Sequence, residues 1–148
     1  SKGIIKEGNF KSKEYTQYWE TNKKTKIIEI SFNDHPTKFT QKPKEKELSR
    51  IDIYKLFEYF DPITSFVSIL SGETEAKTLD GRRIYIMKKT SSNKSGNIEI
   101  VIKSYKNIWA DHKRSDLKKI EFHVEEEGFL PDVVLIYFKE RVFKLIRN

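Results

Sequence analysis

The feature that most limits what this chain can fold into is a two-residue alternation of apolar and polar side chains, in short runs broken by turn residues. Successive side chains on a strand point to opposite faces, so such runs describe half-buried strands. Between Lys26 and Phe32, Ile28, Ile30 and Phe32 share one face while Glu29 and Ser31 take the other. An aromatic run, Tyr15, Tyr18 and Trp19, precedes it across the turn-like Thr21-Asn22-Lys23-Lys24, and together they read as a hairpin. Further on, Ile84 and Ile86 alternate with Arg83, Tyr85 and Met87 after an Asp80-Gly81 turn. Ile98, Ile100 and Ile102 alternate with Glu99 and Lys103, and Ile120, Phe122 and Val124 with Glu121, His123 and Glu125. Val133 to Phe138 is apolar on both faces, and Val142 to Ile146 follows. The Lys-rich stretch from Phe39 to Glu47, carrying Pro43, reads as an exposed loop.

One segment breaks the pattern. Asp61 suits a helix N-cap, Pro62 the first helical position and Gly72 the residue past the end. Ile63, Phe66, Val67 and Leu70 between them fall at helical spacing, which predicts one apolar stripe. Residues 51–60 are apolar without a clean period and suit a second short helix. Composition agrees: alanine occurs only at Ala76 and Ala110, and leucine is sparse beside isoleucine. The expectation is a mainly β protein, residues 1–148 forming a single antiparallel barrel of about eight to ten strands with one or two short helices.

Charge and chemistry exclude more than they select. The 29 basic residues outnumber the 22 acidic ones, but only six are arginine. Lysine is a hydrated point charge, so this excess fits a solvating surface better than a specific nucleic-acid site. The aromatics Tyr15, Tyr18, Trp19, Tyr54, Phe57 and Tyr59 amid lysines could stack bases, yet core packing explains them more simply. The absence of cysteine removes thiolate nucleophiles, disulfides and zinc–thiolate sites. No run approaches the ~20 apolar residues of a membrane span. The histidines are His35, His112 and His123; Asp111-His112 are adjacent, which on an extended chain points them apart. Glu121, His123 and Glu125 share a strand face, but it is the polar one, so no metal or other cofactor is expected. No phosphate loop, nucleophile elbow or metalloprotease helix is present, and no enzyme activity is expected. Arg82-Arg83 either binds an anion or pairs across strands with glutamates.

Three motifs in order carry a resemblance over residues 61–148. Asp61-Pro62-Ile63-Thr64-Ser65, then Asp80-Gly81-Arg82-Arg83-Ile84-Tyr85, then Phe129-Leu130-Pro131 resemble a Gram-negative exported family of unassigned activity with a D-P-x-S…D-G-R-R-x-Y…L-P pattern. The resemblance implies export after removal of a signal peptide, a secreted or periplasmic location, and a lipocalin-like barrel; it implies no catalytic residues. The start at Ser1 rather than methionine reads equally as a mature exported chain or as a trimmed boundary. The lipocalin G-x-W is not met, Gly8-Asn9-Phe10 and Trp19 being its nearest features. The functional expectation is a carrier holding a small apolar or amphipathic ligand inside the barrel. Its lining would be the apolar faces: Ile28, Ile30, Phe32, Ile84, Ile86, Ile100, Ile102, Phe122 and Val124. The alternative is a filled barrel on an envelope or surface protein, acting through an unidentified protein partner.

Overall fold

The computed structural model describes residues 1–32, 38–42, 56, 58–92, 97–108, 116–124 and 129–147. The aromatic run and the alternating segment after it do form the expected hairpin, as β2 (Asn9–Thr21) and β3 (Lys24–Ser31), closed by a two-residue turn between Thr21 and Lys24. β1 (Lys2–Lys6) pairs with the start of β2. β4 (Lys38–Lys42) pairs with β3, opposing Phe39 to Ile30 and Gln41 to Ile28. This corrects the loop expected from Phe39 onward: its first residues alternate half-buried Phe39 and Gln41 with exposed neighbours, a strand pattern that the lysines obscured. Residues 43–47 and most of the suggested helix at 51–60 lie outside the described residues.

After the helix α1 (Pro62–Leu70) come β5 (Glu75–Asp80), β6 (Arg83–Ser92), β7 (Ile98–Asn107), β8 (Leu117–His123), β9 (Val133–Phe138) and β10 (Arg141–Ile146). The strands form two antiparallel sheets, β1-β2-β3-β4 and β10-β9-β8-β7-β6-β5. The fold is thus mainly β; among the described residues there are ten strands and no closed barrel.

Two apolar cores result. The first lies under α1, where Ile69 meets Ala76, Tyr85, Met87, Ile98, Ile100, Ile120 and Phe122 of the larger sheet. Cross-strand register explains the cluster: Met87 opposes Ile102, Ile100 opposes Ile120, and Ile98 opposes Phe122. The second core joins the two sheets, with Ile28 and Ile30 of β3 against Leu56, Leu79, Ile84 and Ile108. The β5–β6 hairpin serves both. Its Ala76–Met87 and Thr78–Tyr85 pairs face α1, whereas the Leu79–Ile84 pair faces away from it into the second core. A bulge in β7, opposite Tyr85 and including Ser104 at φ 51°, lets Tyr105 stack on Tyr85 at 5.8 Å.

The helix ends where the sequence reads them to end, but its buried face differs. Asp61 caps it, Pro62 opens it, and Gly72 follows at φ +117°. The buried residues are Thr64, Ser65, Ser68 and Ile69, while Ile63 of the predicted stripe is 56% exposed. Small hydroxyl side chains let α1 approach β5 closely, and hydrogen bonding replaces apolar contact there. Thr78 Oγ1 donates to Ser65 Oγ at 2.9 Å. Fully buried Asp61 accepts from Ser12 Oγ at 2.6 Å and Thr64 Oγ1 at 2.5 Å. The helix is thereby tied to the first sheet through Asp61 and to the second through Ser65, by hydrogen bonds as well as by apolar packing.

Candidate functional site

The nine apolar residues expected to line one interior are divided by the fold. Ile28, Ile30 and Ile84 lie in the second core, with Phe32 half-buried beside it. Ile100 and Phe122 lie in the first core, with Ile102 packed against it. Ile86 is half-buried, but on the face of β6 opposite to Tyr85 and Met87, and Val124 stands half-buried just beyond β8. On β6 the residues that face α1 are thus Tyr85 and Met87, with Ile84 and Ile86 on the other side: a strand covered on both faces is apolar on both, and parity alone cannot rank them. One face of the larger sheet is covered by α1, whose Phe66 ring packs edge-on against Phe122 with centroids 4.4 Å apart.

The largest chemical contrast instead lies at the outer end of the second core. The inner face of the β2–β3 hairpin runs from the Tyr15–Ile30 pair through Gln17–Ile28 to Trp19–Lys26. It thus changes from apolar to cationic as it approaches its own turn. The tight β5–β6 turn, Asp80 to Arg83, faces it. Between them is a groove of about 540 Å³, lined by Gln17, Trp19, Lys24, Lys26, Ile28, Asp80, Arg82 and Arg83. Gly81 holds this turn close: at φ +47° it sits where an added Cβ would lie 2.6 Å from Gln17 Oε1 and 3.0 Å from Ile28 Cδ1. The Asp80-Gly81 turn of the sequence is therefore a joint between the two sheets as well as a strand connection.

The electrostatics of the groove are lopsided. Among the described residues that line it, four are cationic, Lys24, Lys26, Arg82 and Arg83, and one is a carboxylate, Asp80. Lys26 is only 8% exposed, so its charge is held where water screens it less. Asp80 accepts from Gln17 Nε2 at 3.5 Å and lies 3.9 Å from Arg83 Nη1. Burial pushes its carboxyl above the usual range, and Arg83 only partly opposes this. Arg83 also stands 5.9 Å from the centroid of the Tyr105 ring. At the groove's other end the Trp19 indole is 53% exposed. An apolar surface, an aromatic plate and clustered cations together match a small amphipathic anion.

The remaining candidates are accounted for as follows. Of the aromatics, Tyr15 and Tyr59 pack against the second core, Tyr18 and Trp19 are exposed, and Tyr54 and Phe57 lie outside the described residues. Glu121 is engaged by Lys119 Nζ at 2.5 Å and by Tyr137 Oη at 3.0 Å, and Lys119 above all holds its carboxyl below the ordinary range. His123 Nε2 is 3.9 Å from the same carboxylate. His35, Asp111, His112 and Glu125 lie outside the described residues, among which no cluster of three or more metal-ligating side chains occurs. Also among the described residues, no helix is long and apolar enough to cross a membrane. Sequence reasoning singled out Arg82-Arg83 as a possible anion site but missed Gln17, Lys24 and Lys26. Their only signal was their place within a few residues of one hairpin turn, Gln17 on the strand before it and Lys24 and Lys26 on the strand after it. No protein-family model, curated protein or solved structure matches the chain.

Proposed function

We propose that this chain is a non-enzymatic binding protein for a small amphipathic anion, held in the basic groove between the β2–β3 hairpin and the β5–β6 turn. The anionic head would meet Arg82, Arg83 and Lys26, and the apolar body would lie on Trp19 and Ile28. The observation that carries this reading is the junction of an apolar core with four cations in one groove. The carrier suggested by the sequence is kept, but its ligand moves from the expected barrel interior to a cleft between the two sheets. Export to the periplasm or exterior, implied by the D-P…D-G-R-R-x-Y…L-P resemblance, is part of the proposal. So is a distant lipocalin-like descent, on which the ligand site does not depend.

The chain has two tryptophans, Trp19 and Trp109. In a Trp109→Phe background, Trp19 fluorescence therefore reports on the groove alone. Decanoate should change that signal saturably, while decanol, with the same tail and no charge, should bind far more weakly. Charge-assisted hydrogen bonds contribute about 1.5–3 kcal/mol each, so replacing both arginines by glutamine should weaken decanoate at least tenfold. Equal binding of decanol and decanoate, or affinity indifferent to the two arginines, would refute the assignment.

A further inference from the structure

The C-terminal hairpin β9–β10 is apolar on both faces and poorly covered. Phe143 opposes Ile136 and Leu145 opposes Val134, so they prolong a row that begins in the first core. Yet Val142, Phe143, Leu145 and Ile146 are all about half exposed or more. β10 is the last strand of its sheet, and among the described residues no strand pairs with its outer edge. The other end of that sheet is protected: Phe60 N–H donates to the Lys77 carbonyl, and its own carbonyl accepts from Leu79 N–H. Exposed edges are ordinarily blunted by charge, proline or bulges, but Lys144 is the one charged residue between Arg141 and Arg147.

The peptide groups on that edge can be identified. Arg147 N–H donates to the Asp132 carbonyl at 2.9 Å, so the odd-numbered residues of β10 bond back toward β9. Alternation in an antiparallel ladder then turns the N–H and C=O groups of Val142, Lys144 and Ile146 outward. Two copies related by a two-fold axis normal to the sheet must place one residue opposite its own counterpart. Phe143 and Lys144 are the two choices that pair most of the strand. With Lys144 on the axis, lysine opposes lysine and Arg141 opposes Arg147, which like-charge repulsion disfavours. With Phe143 on the axis, the two phenyl rings meet, Val142 opposes Lys144 and Arg141 opposes Leu145. The one like-charge pair, Lys139 with Arg147, then falls beyond the strand ends, where Lys139 sits in the β9–β10 turn, and Glu140 of each copy lies diagonal to Lys144 of the other.

We propose that the outer edge of β10 pairs antiparallel with β10 of a second copy of this chain, centred on Phe143, so that the two six-stranded sheets become continuous. The surface lies away from the groove and is carried by different residues, so it stands whether or not the ligand assignment does. Sedimentation equilibrium should show a dimer at micromolar concentration. Phe143→Lys would set two ammonium groups face to face on the axis and should raise the dimer dissociation constant at least about tenfold. Register is tested by cross-linking, because the chain has no cysteine of its own. Phe143 would sit in a pair without hydrogen bonds on this edge, with Cα atoms about 4.5 Å apart, so Phe143→Cys should oxidise to a covalent dimer. Leu145→Cys would lie roughly 13 Å from its counterpart and should not. Both positions are exposed, so each variant should fold, which circular dichroism checks. A monomer throughout the micromolar range would overturn the proposal. So would a dimer indifferent to Phe143→Lys, equal cross-linking at residue 145, or an edge that takes up only an acidic foreign strand.

Discussion

Replacing Asp61 by alanine should cost far more than the loss of a helix cap. From sequence, Asp61 is an N-cap worth about 1 kcal/mol. In the structure one carboxylate oxygen does that work, accepting from the Ile63 and Thr64 amides at 2.9 and 3.2 Å. The other accepts the hydroxyls of Ser12 and Thr64, and Ser12 Oγ in turn accepts from the Asp61 amide at 2.8 Å. Asp61 is fully buried, and Ser12 and Thr64 nearly so. Alanine would orphan two buried hydroxyl donors, each costing about 1–3 kcal/mol, in addition to the cap. Relief of a buried charge offsets part of this, so the expected loss is about 3–4 kcal/mol. Asp61→Asn, which keeps one acceptor, should lose about half as much. Urea titration of both variants and of Ser12→Ala, with an unchanged m-value as the check on two-state behaviour, gives the numbers. Because Ser12 is on β2, the cycle formed by Asp61→Ala and Ser12→Ala should show a coupling energy of about 1 kcal/mol or more. A loss near 1 kcal/mol with no coupling would mean that Asp61 caps the helix and nothing else, and the argument for a network joining α1 to the smaller sheet would fail.

Two further outcomes follow from the packing and the charges. Phe122→Ala removes a fully buried ring that packs against Phe66, and should lower stability by about 3–5 kcal/mol in the same titration; a loss below 1 kcal/mol would show that α1 does not seal the first core. Asp80 has a raised pKa in the fold, so its contribution to stability is fully present below the unfolded value of about 3.9 and is lost as pH rises through the folded value. Asp80→Asn, which resembles the protonated form, should therefore gain stability relative to wild type between pH 3 and pH 7, and a constant difference across that range would contradict the burial of this carboxyl.

Local pattern settled much of the architecture. Alternation at Lys26–Phe32, Ile98–Lys103 and Ile120–His123 is a property of the strand backbone, and those strands formed. The Asp61-Pro62 start and Gly72 end of the helix, and the Asp80-Gly81 turn, also follow from backbone preferences that act within a few residues. The sequence by itself therefore determined that the chain is mainly β with a helix at 62–70. Tertiary structure decided which faces are buried and where chemistry collects. The β5–β6 hairpin lies against α1 on one face and the smaller sheet on the other, so its apolar parity could not name an interior. Thr64 and Ser65 look like part of a solvated helix face in one dimension, and are buried with their hydroxyls hydrogen-bonded to Asp61 and Thr78. Gln17, Lys26 and Arg82 are scattered along the chain and come to line one groove only when Gly81 lets the β5–β6 turn close against β2 and β3. Long-range contacts of this kind leave no local periodicity, because the free energy that selects them comes from surfaces meeting across the fold.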